Sequence, residues 1–80
     1  MKEKIRIKLA ILEPSILEIT DVSSQHKGHS GWRDGGETHF EIVIASKRFD
    51  DLSRVERHKL IYKVLEKEMK VIHALQISFR

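Results

Sequence analysis

The chain has 80 residues, 40% of them hydrophobic and 34% charged, so it is long enough for one small globular domain over residues 1–80 and is not disordered. It contains no cysteine, which excludes disulfides, thiol nucleophiles and an iron–sulfur cluster held by its own thiolates. A net charge of +3, no long apolar run and no secretory signal together predict a cytoplasmic protein that does not contact a membrane.

The first predicted element is an amphipathic helix over residues 2–12, about three turns long. Its apolar side chains, spaced by four and then three positions, are Ile5, Leu9 and Leu12. Pro14 ends this helix, because the residue before a proline is displaced from the α conformation. In residues 15–22 the apolar period changes to two, which predicts a strand with one solvated face.

Residues 23–37 contain all four glycines of the chain and no aliphatic side chain, so they predict a long loop that is functional or mobile. His26 and His29 lie three positions apart in this loop. They are either solvated polar residues or movable metal ligands. Trp32, between them and the next strand, either anchors a partner or folds back as a lid.

A second strand is predicted at 38–45, with Phe40, Ile42 and Ile44 on one face and His39 on the other. A short helical turn follows at 49–52.

Ser53 and Glu56 have the spacing of a capping box, which predicts the start of a helix over 54–69. Its predicted apolar stripe consists of Val55, Ile61, Tyr62, Leu65 and Met69. A last strand is predicted at 71–79. Three strands with apolar faces and two helices to cover them predict an α+β two-layer sandwich of order αββααβ, with an antiparallel first pair and a helical crossover to the last strand.

Histidine is abundant, with five in 80 residues. His73 lies where the predicted second helix gives way to the last strand. It is either a metal ligand held at the surface or a hydrogen-bonded strand-end residue. His39 and His58 lie next to apolar faces and are predicted to be structural, with their rings packed and their nitrogens bonded to backbone. No pattern typical of hydrolases is present, and a core of this size leaves little room for a substrate cleft, so we expect a binding module and no enzyme.

Basic residues concentrate in the second half of the chain, where glutamates are interspersed among them. They form either a solvated helix face or a nucleic-acid contact surface, and the candidates for such a surface are Arg54, Arg57, Lys59, Lys63 and Lys67. The Gly28–Gly31 segment matches the G-x-x-G clamp of KH domains. That clamp joins two helices, whereas this segment joins two strands, so a KH clamp is not expected.

Three groups of residues resemble the motifs of the BolA family, in the same order and over residues 1–79. The first group is Asp21-Val22-Ser23, Gln25-His26-Lys27-Gly28-His29 and Gly36-Glu37-Thr38-His39-Phe40. The second is Ser46-Lys47-Arg48-Phe49 with Arg57-His58-Lys59, and the third is Ile72-His73-Ala74-Leu75.

This resemblance implies a fold similar to a type II KH domain and a partnership with a monothiol glutaredoxin, with which a [2Fe-2S] cluster is shared in iron–sulfur trafficking or iron sensing. The glutaredoxin cysteine and glutathione would supply thiolates. This chain would supply His73 and either His26 or His29, of which His26 stands at the motif's usual position. The isolated chain would bind no cluster and would be a monomer or weak homodimer. The family's second implied role is that of a transcriptional regulator, in which the basic helix region 54–70 binds DNA.

Overall fold

The structure of the protein, a computed structural model, describes residues 1–23 and 38–80. The elements in chain order are α1 (Lys2–Leu9), β1 (Ile16–Asp21), β2 (His39–Ala45), α2 (Arg54–Val64) and β3 (Ala74–Phe79). Single 3-10 turns lie at Ala10–Leu12, Lys47–Phe49 and Glu68–Lys70. None of the helices within these ranges has the length and apolar character needed to cross a membrane.

The three strands form one mixed sheet with β2 in the centre. β1 runs antiparallel to β2, with Ile19 opposite Ile42, and β3 runs parallel to β2, with Ile77 opposite Ile42. A parallel neighbour requires a crossover, and α2 provides it. The predicted α+β class, the antiparallel first pair and the helical crossover are confirmed.

The core lies between one face of the sheet and the two helices. Phe40, Ile42 and Ile44, the predicted inner face of β2, are each at most 2% exposed. Each side chain buried in this way stabilises the fold by roughly 1.5–3 kcal/mol. The helices contribute Ile5, Leu9, Ile61 and Leu65 to the same cluster. Hydrophobic burial on this face therefore fixes the register of the central strand, and with it the positions of its ends.

The predicted stripe of the second helix is wrong at two positions. Ile61 and Leu65 are buried, but Val55 is 63% and Tyr62 40% exposed. Val55 and Tyr62 are seven residues apart and so lie on one side of a helix, about 100° around the axis from Ile61. Leu60 and Val64 pack against the core instead.

The second helix also ends earlier than predicted, at Val64 instead of residue 69. Leu65 leaves the helical conformation with φ −96° and ψ 20°. The chain then turns, and both Leu65 and Ile72 reach the core, exposed by 0% and 4%. Burying these two side chains is more favourable than continuing the helix, so the helix ends at Val64.

Other boundaries differ by a few residues. The predicted first helix tightens into a 3-10 turn after Leu9, and the chain leaves it at Glu13, which has a left-handed conformation with φ 50° before Pro14. The helical turn predicted at 49–52 lies at Lys47–Phe49. The last strand begins at Ala74 because the N–H groups of residues 71 and 72 bond to the Glu68 carbonyl.

Candidate metal centre

His73 lies immediately before β3, at the end of the sheet where β2 also begins. Its main-chain N–H donates to the Thr38 carbonyl at 2.8 Å, and the N–H of Ala74 donates to the same oxygen at 3.1 Å. These bonds follow from the parallel register, in which Ala74 pairs with His39. The backbone of His73 is therefore fixed to the beginning of the central strand.

The ring of His73 is exposed, and its centroid is 5.2 Å from that of the His39 ring, with the planes tilted by 50°. Within residues 1–23 and 38–80, neither ring nitrogen of His73 has a hydrogen-bond partner. The backbone bond expected of a strand-end histidine is made by the main chain of His73 and not by its imidazole. A surface imidazole with an available nitrogen can bind a metal.

His39 forms the wall beside this ring. It is 4% exposed, and its Nδ1 lies 2.7 Å from the Oγ1 of Thr38, which is fully buried. The sequence pattern predicts backbone partners for this imidazole, and the contact described for its Nδ1 is with a side-chain hydroxyl. Which of the two atoms donates depends on the tautomer. The packing holds His39 in place against His73.

Ser23 joins the two ends of the segment between β1 and β2. Its buried Oγ accepts hydrogen bonds from the main-chain N–H of Thr38 at 2.9 Å and of His39 at 3.1 Å. The N–H of Val22 donates to the His39 carbonyl at 2.9 Å. Residues 23 and 38 are therefore held together beside His39 and His73.

His26, His29 and Trp32 lie outside the described residues. Covalent geometry alone limits three residues to a span of about 10 Å and six residues to about 20 Å. His26 is three residues from Ser23, and His29 is six. Chain length therefore allows either histidine to reach the side of the sheet that carries His73, and it does not decide between them.

His58 belongs to the other end of β3. Its Nδ1 lies 2.9 Å from the Arg54 carbonyl, and its ring contacts the Phe79 ring edge-on at 5.2 Å. Phe79 and His73 are six residues apart in extended chain, which separates them by about 20 Å. The structure therefore brings His39 and His73 together and leaves His58 apart from them.

The basic residues of the second half have different surroundings. The Arg57 guanidinium lies over two aromatic rings, 5.8 Å from Phe49 and 5.7 Å from Phe79, and its Nε donates to the Leu52 carbonyl at 3.1 Å. Arg57 is thus bound into the domain, although its position in the sequence made it a DNA-contact candidate. The remaining candidates, Arg54, Lys59, Lys63 and Lys67, are exposed.

The described residues offer part of a ligand set. No group of three histidines, cysteines or carboxylates converges in residues 1–23 and 38–80. The chain has no thiolate of its own. The exposed imidazole of His73 fits an iron site whose sulfur ligands come from another molecule, since mixed histidine and thiolate ligation of [2Fe-2S] clusters is known chemistry.

No deep cleft accompanies these histidines within the two described ranges. A cavity of about 120 Å³ lies beside His39, between the first residues of β2 and β3. Small-molecule sites are typically about 300–1,000 Å³. The cavity beside His39 is therefore smaller than this range.

Ser23 and Thr38 were not among the residues predicted for the site. Both are small polar residues at strand ends, and their role depends on which strand ends meet. The spacing of hydrophobic residues predicts the strands but not the hydrogen bonds between residues 15 positions apart.

A family model described as "BolA-like protein" matches residues 9–80. The chloroplastic protein BOLA1 of Arabidopsis thaliana is 45% identical over 80 residues, which cover 96% of this chain and 48% of BOLA1. This chain therefore spans about half the length of that relative. The DNA-binding transcriptional regulator BolA of Escherichia coli is 35% identical over 96% of this chain and 71% of its own length.

Among solved structures, the BolA domain of SufE1 from Arabidopsis thaliana superposes with a TM-score of 0.87 at 46% identity, covering 99% of this chain and 88% of that one. Fold and sequence therefore agree over nearly the whole chain. Because the family model matches residues 9–80 and BOLA1 is 45% identical over 96% of the chain, this chain belongs to the BolA-like protein family.

Proposed function

We propose that this chain is a non-enzymatic partner of a monothiol glutaredoxin and that the two proteins share a [2Fe-2S] cluster in iron–sulfur trafficking or iron sensing. His73 and one loop histidine, His26 or His29, are the ligands from this chain. The glutaredoxin cysteine and glutathione supply the thiolates. The cluster provides one-electron redox chemistry, and replacing thiolate by neutral imidazole raises its potential.

The observation that carries this proposal is the setting of His73. Its backbone is held by the Thr38 carbonyl, its ring is exposed, and its nitrogens have no partner among the described residues. His39 packs against one side of the ring at 5.2 Å. A ligand whose backbone is fixed and whose ring is partly confined loses little conformational freedom on binding a metal.

The second ligand is supported by the hydrogen bonds that the Ser23 Oγ accepts from the main-chain N–H groups of Thr38 and His39. Both ends of the segment that carries His26 and His29 are tied to β2 next to His39. Chain length then allows a loop histidine to reach the end of the sheet that carries His73. A site that also needs two outside thiolates would form only when the partner docks, so the isolated chain is proposed to bind no cluster.

The remaining expectations stay predictions. The chain is expected to be a monomer or weak homodimer without the cluster. A cytoplasmic location is likewise a prediction, and the relative BOLA1 carries the description chloroplastic.

The proposal is tested by co-expressing the chain with a monothiol glutaredoxin and purifying the complex. We expect a coloured one-to-one complex whose visible absorption differs from that of the glutaredoxin homodimer. His73→Ala should remove that difference, because the fixed ligand is lost. His58→Gln is the matched control, since this ring lies at the far end of β3 and should leave the spectrum as in the wild type.

A spectrum that His73→Ala leaves unchanged would reject His73 as a ligand. A colourless mixture, with both proteins folded by circular dichroism, would reject the partnership itself. The two failures are therefore separable.

DNA binding is a second candidate function, favoured by a specific observation. Lys59, Lys63 and Lys67 are exposed at intervals of four residues along α2 and the turn after it. The Escherichia coli relative is described as a DNA-binding transcriptional regulator. Exposed lysines of this kind can contact phosphates, which makes affinity strongly dependent on salt.

A further inference from the structure

His39 is buried on the face of the sheet that does not form the core. It shares this face of β2 with Glu41 and Val43, which are exposed and half-buried, whereas the core side chains of β2 are on the opposite face. Even so, His39 is only 4% exposed. Packing in the hydrophobic core therefore does not account for its burial, and its ring is held by other contacts.

A hydrogen bond to Thr38 determines how the His39 ring is turned. A cavity of about 120 Å³ lies beside His39, and rotation about the Cβ–Cγ bond of a histidine has broad, roughly two-fold minima, so packing alone permits more than one orientation. The 2.7 Å contact between the His39 Nδ1 and the Thr38 Oγ1 selects one of them. Thr38 is itself fixed, since it is fully buried and its main-chain N–H donates to the Ser23 Oγ.

Two sets of contacts lead from Thr38 to His73. The Thr38 carbonyl accepts hydrogen bonds from the N–H groups of His73 and Ala74, which hold the backbone. The Thr38 hydroxyl holds the His39 ring, whose centroid lies 5.2 Å from that of the His73 ring. The imidazole of His73 is exposed and its nitrogens have no hydrogen-bond partner among the described residues, so its orientation depends on this contact with His39.

We propose that Thr38 is a positioning residue, whose hydroxyl acts through His39 to fix the plane of the His73 imidazole before any metal is bound. The consequence for cluster binding rests on the proposed function. A ligand whose ring already has its bound orientation loses little rotational freedom on binding, so the metal is held more tightly. His39, which the sequence predicts to be structural, then serves the ligand rather than the core.

Thr38→Val and Thr38→Ser separate the hydroxyl from the backbone. Valine keeps the carbonyl but removes the hydrogen bond to His39, whereas serine retains both. In the isolated chain with ¹³C-labelled histidine, we expect nuclear Overhauser contacts between the His39 and His73 rings in the wild type and in Thr38→Ser, and their loss in Thr38→Val. The order parameter of the His73 ring should fall below about 0.6, a value typical of flexible groups, only in Thr38→Val.

Ser46→Ala is the control for lost stability. Ser46 follows β2 at its other end, where its buried hydroxyl donates to the Leu12 carbonyl at 2.5 Å and accepts from the Arg48 N–H at 3.1 Å. This variant should lower the urea midpoint and leave the His73 ring ordered. An ordered His73 ring in Thr38→Val, or equal loss of ring order in Ser46→Ala, would overturn the proposal. Thr38→Ala, which also lacks the hydroxyl, replaces Thr38→Val if the latter does not fold.

The complex with a monothiol glutaredoxin tests the consequence for the metal. Iron should be lost to a chelator about fivefold faster from Thr38→Val than from the wild type, a change of the size expected from immobilising one side chain, and at the wild-type rate from Thr38→Ser. Equal rates despite a mobile His73 ring would contradict the link between ring orientation and cluster binding. A colourless wild-type mixture would instead overturn the proposed function, and the ring measurements in the isolated chain would still decide the role of Thr38.

Discussion

His73 divides its interactions between backbone and side chain in a way that suits a ligand. Its main-chain N–H is bonded to Thr38, and this contact orients the residue without using the ring. The neighbouring His39 is buried, with its Nδ1 next to the Thr38 hydroxyl. Thr38 thus positions both histidines, one through its carbonyl and the other through its side chain.

At the residue scale, Ser23 provides the sharpest stability prediction. Ser23→Ala removes the acceptor of two buried backbone N–H groups, those of Thr38 and His39. We expect a loss of at least about 2 kcal/mol in the free energy of unfolding, since two buried groups lose their acceptor and each unpaired buried group costs roughly 1–3 kcal/mol. Urea denaturation measures it, with the exposed Ser78→Ala as control. Equal midpoints for the two variants would contradict the role assigned to Ser23.

Individual residues differ in how far the sequence could predict them. His73 is identifiable because it stands where a helix pattern gives way to a strand pattern and matches a family motif. Ser23 and Thr38 were missed because their hydrogen bonds join segments that meet only when β1 and β2 pair. Arg57 was counted among the DNA-contact candidates, although it lies over Phe49 and Phe79, because residue type alone does not tell a solvated guanidinium from a packed one.

At the element scale, the start of α2 is the best-specified boundary of the chain. The Ser53 Oγ accepts from the Glu56 N–H at 3.1 Å, and a Glu56 carboxylate oxygen accepts from the Ser53 N–H at 2.9 Å. This confirms the predicted capping box. The hydrogen bond from the Ser53 backbone, then that from its side chain, lowers the pKa of Glu56 below its ordinary value, with a smaller contribution from Lys59.

The lowered pKa has a consequence for acid stability. A carboxylate whose pKa falls on folding adds stability above its unfolded pKa, near pH 4.3, and this contribution is lost as the pH falls through the lower folded value. Glu56→Gln keeps a capping acceptor but does not titrate. We therefore expect its stability to fall less steeply than that of the wild type below about pH 5.

Chemical denaturation between pH 7 and pH 3 measures this difference. Glu66→Gln is the control, since Glu66 is exposed and has no capping hydrogen bond among the described residues. Identical pH profiles for Glu56→Gln and the wild type would show that the capping hydrogen bonds do not favour the ionised carboxylate.

The end of α2 shows the limit of element prediction. The apolar spacing of Leu65 and Met69 continued the helical pattern, but the chain turns after Val64 so that Leu65 and Ile72 can both be buried. Local spacing cannot reveal this, because the competing burial involves a residue seven positions further on. The start, determined by local hydrogen bonds, was predictable, and the end, determined by tertiary packing, was not.

At the scale of the whole molecule, the order of amphipathic segments was enough to predict the architecture. Each strand and each helix has one apolar face. A two-layer arrangement, with the helices packed on one side of the sheet, buries all of these faces. The pairing of β1 with β2, and of β2 with β3, then brings residues 23, 38, 39 and 73 to one end of the sheet. The site is thus a product of topology, which is why only part of it could be predicted from sequence.

Charge distribution separates the two candidate functions. If α2 binds DNA, the double variant Lys63→Glu and Lys67→Glu should weaken retention on DNA. The slope of log affinity against log salt should fall by about 0.9 for each phosphate that the variant no longer neutralises. The cluster function predicts that the same variant keeps the visible spectrum of the glutaredoxin complex. Charge reversal at Lys2 and Lys47, both exposed and outside α2, is the control.

Retention and salt slope equal to those of the wild type would exclude this face as a DNA-binding surface. A loss of the cluster spectrum in the same variant would instead contradict the separation of the two functions.

The most direct test of histidine ligation is pulsed electron paramagnetic resonance on the one-electron-reduced complex, with ¹⁵N-histidine introduced only into this chain and the glutaredoxin unlabelled. We predict a strong ¹⁵N coupling of the size expected for an imidazole nitrogen bound to iron, which is lost or altered in His73→Ala and retained in His58→Gln. A reduced cluster in a one-to-one complex without such a coupling would contradict the claim that this chain contributes a histidine ligand.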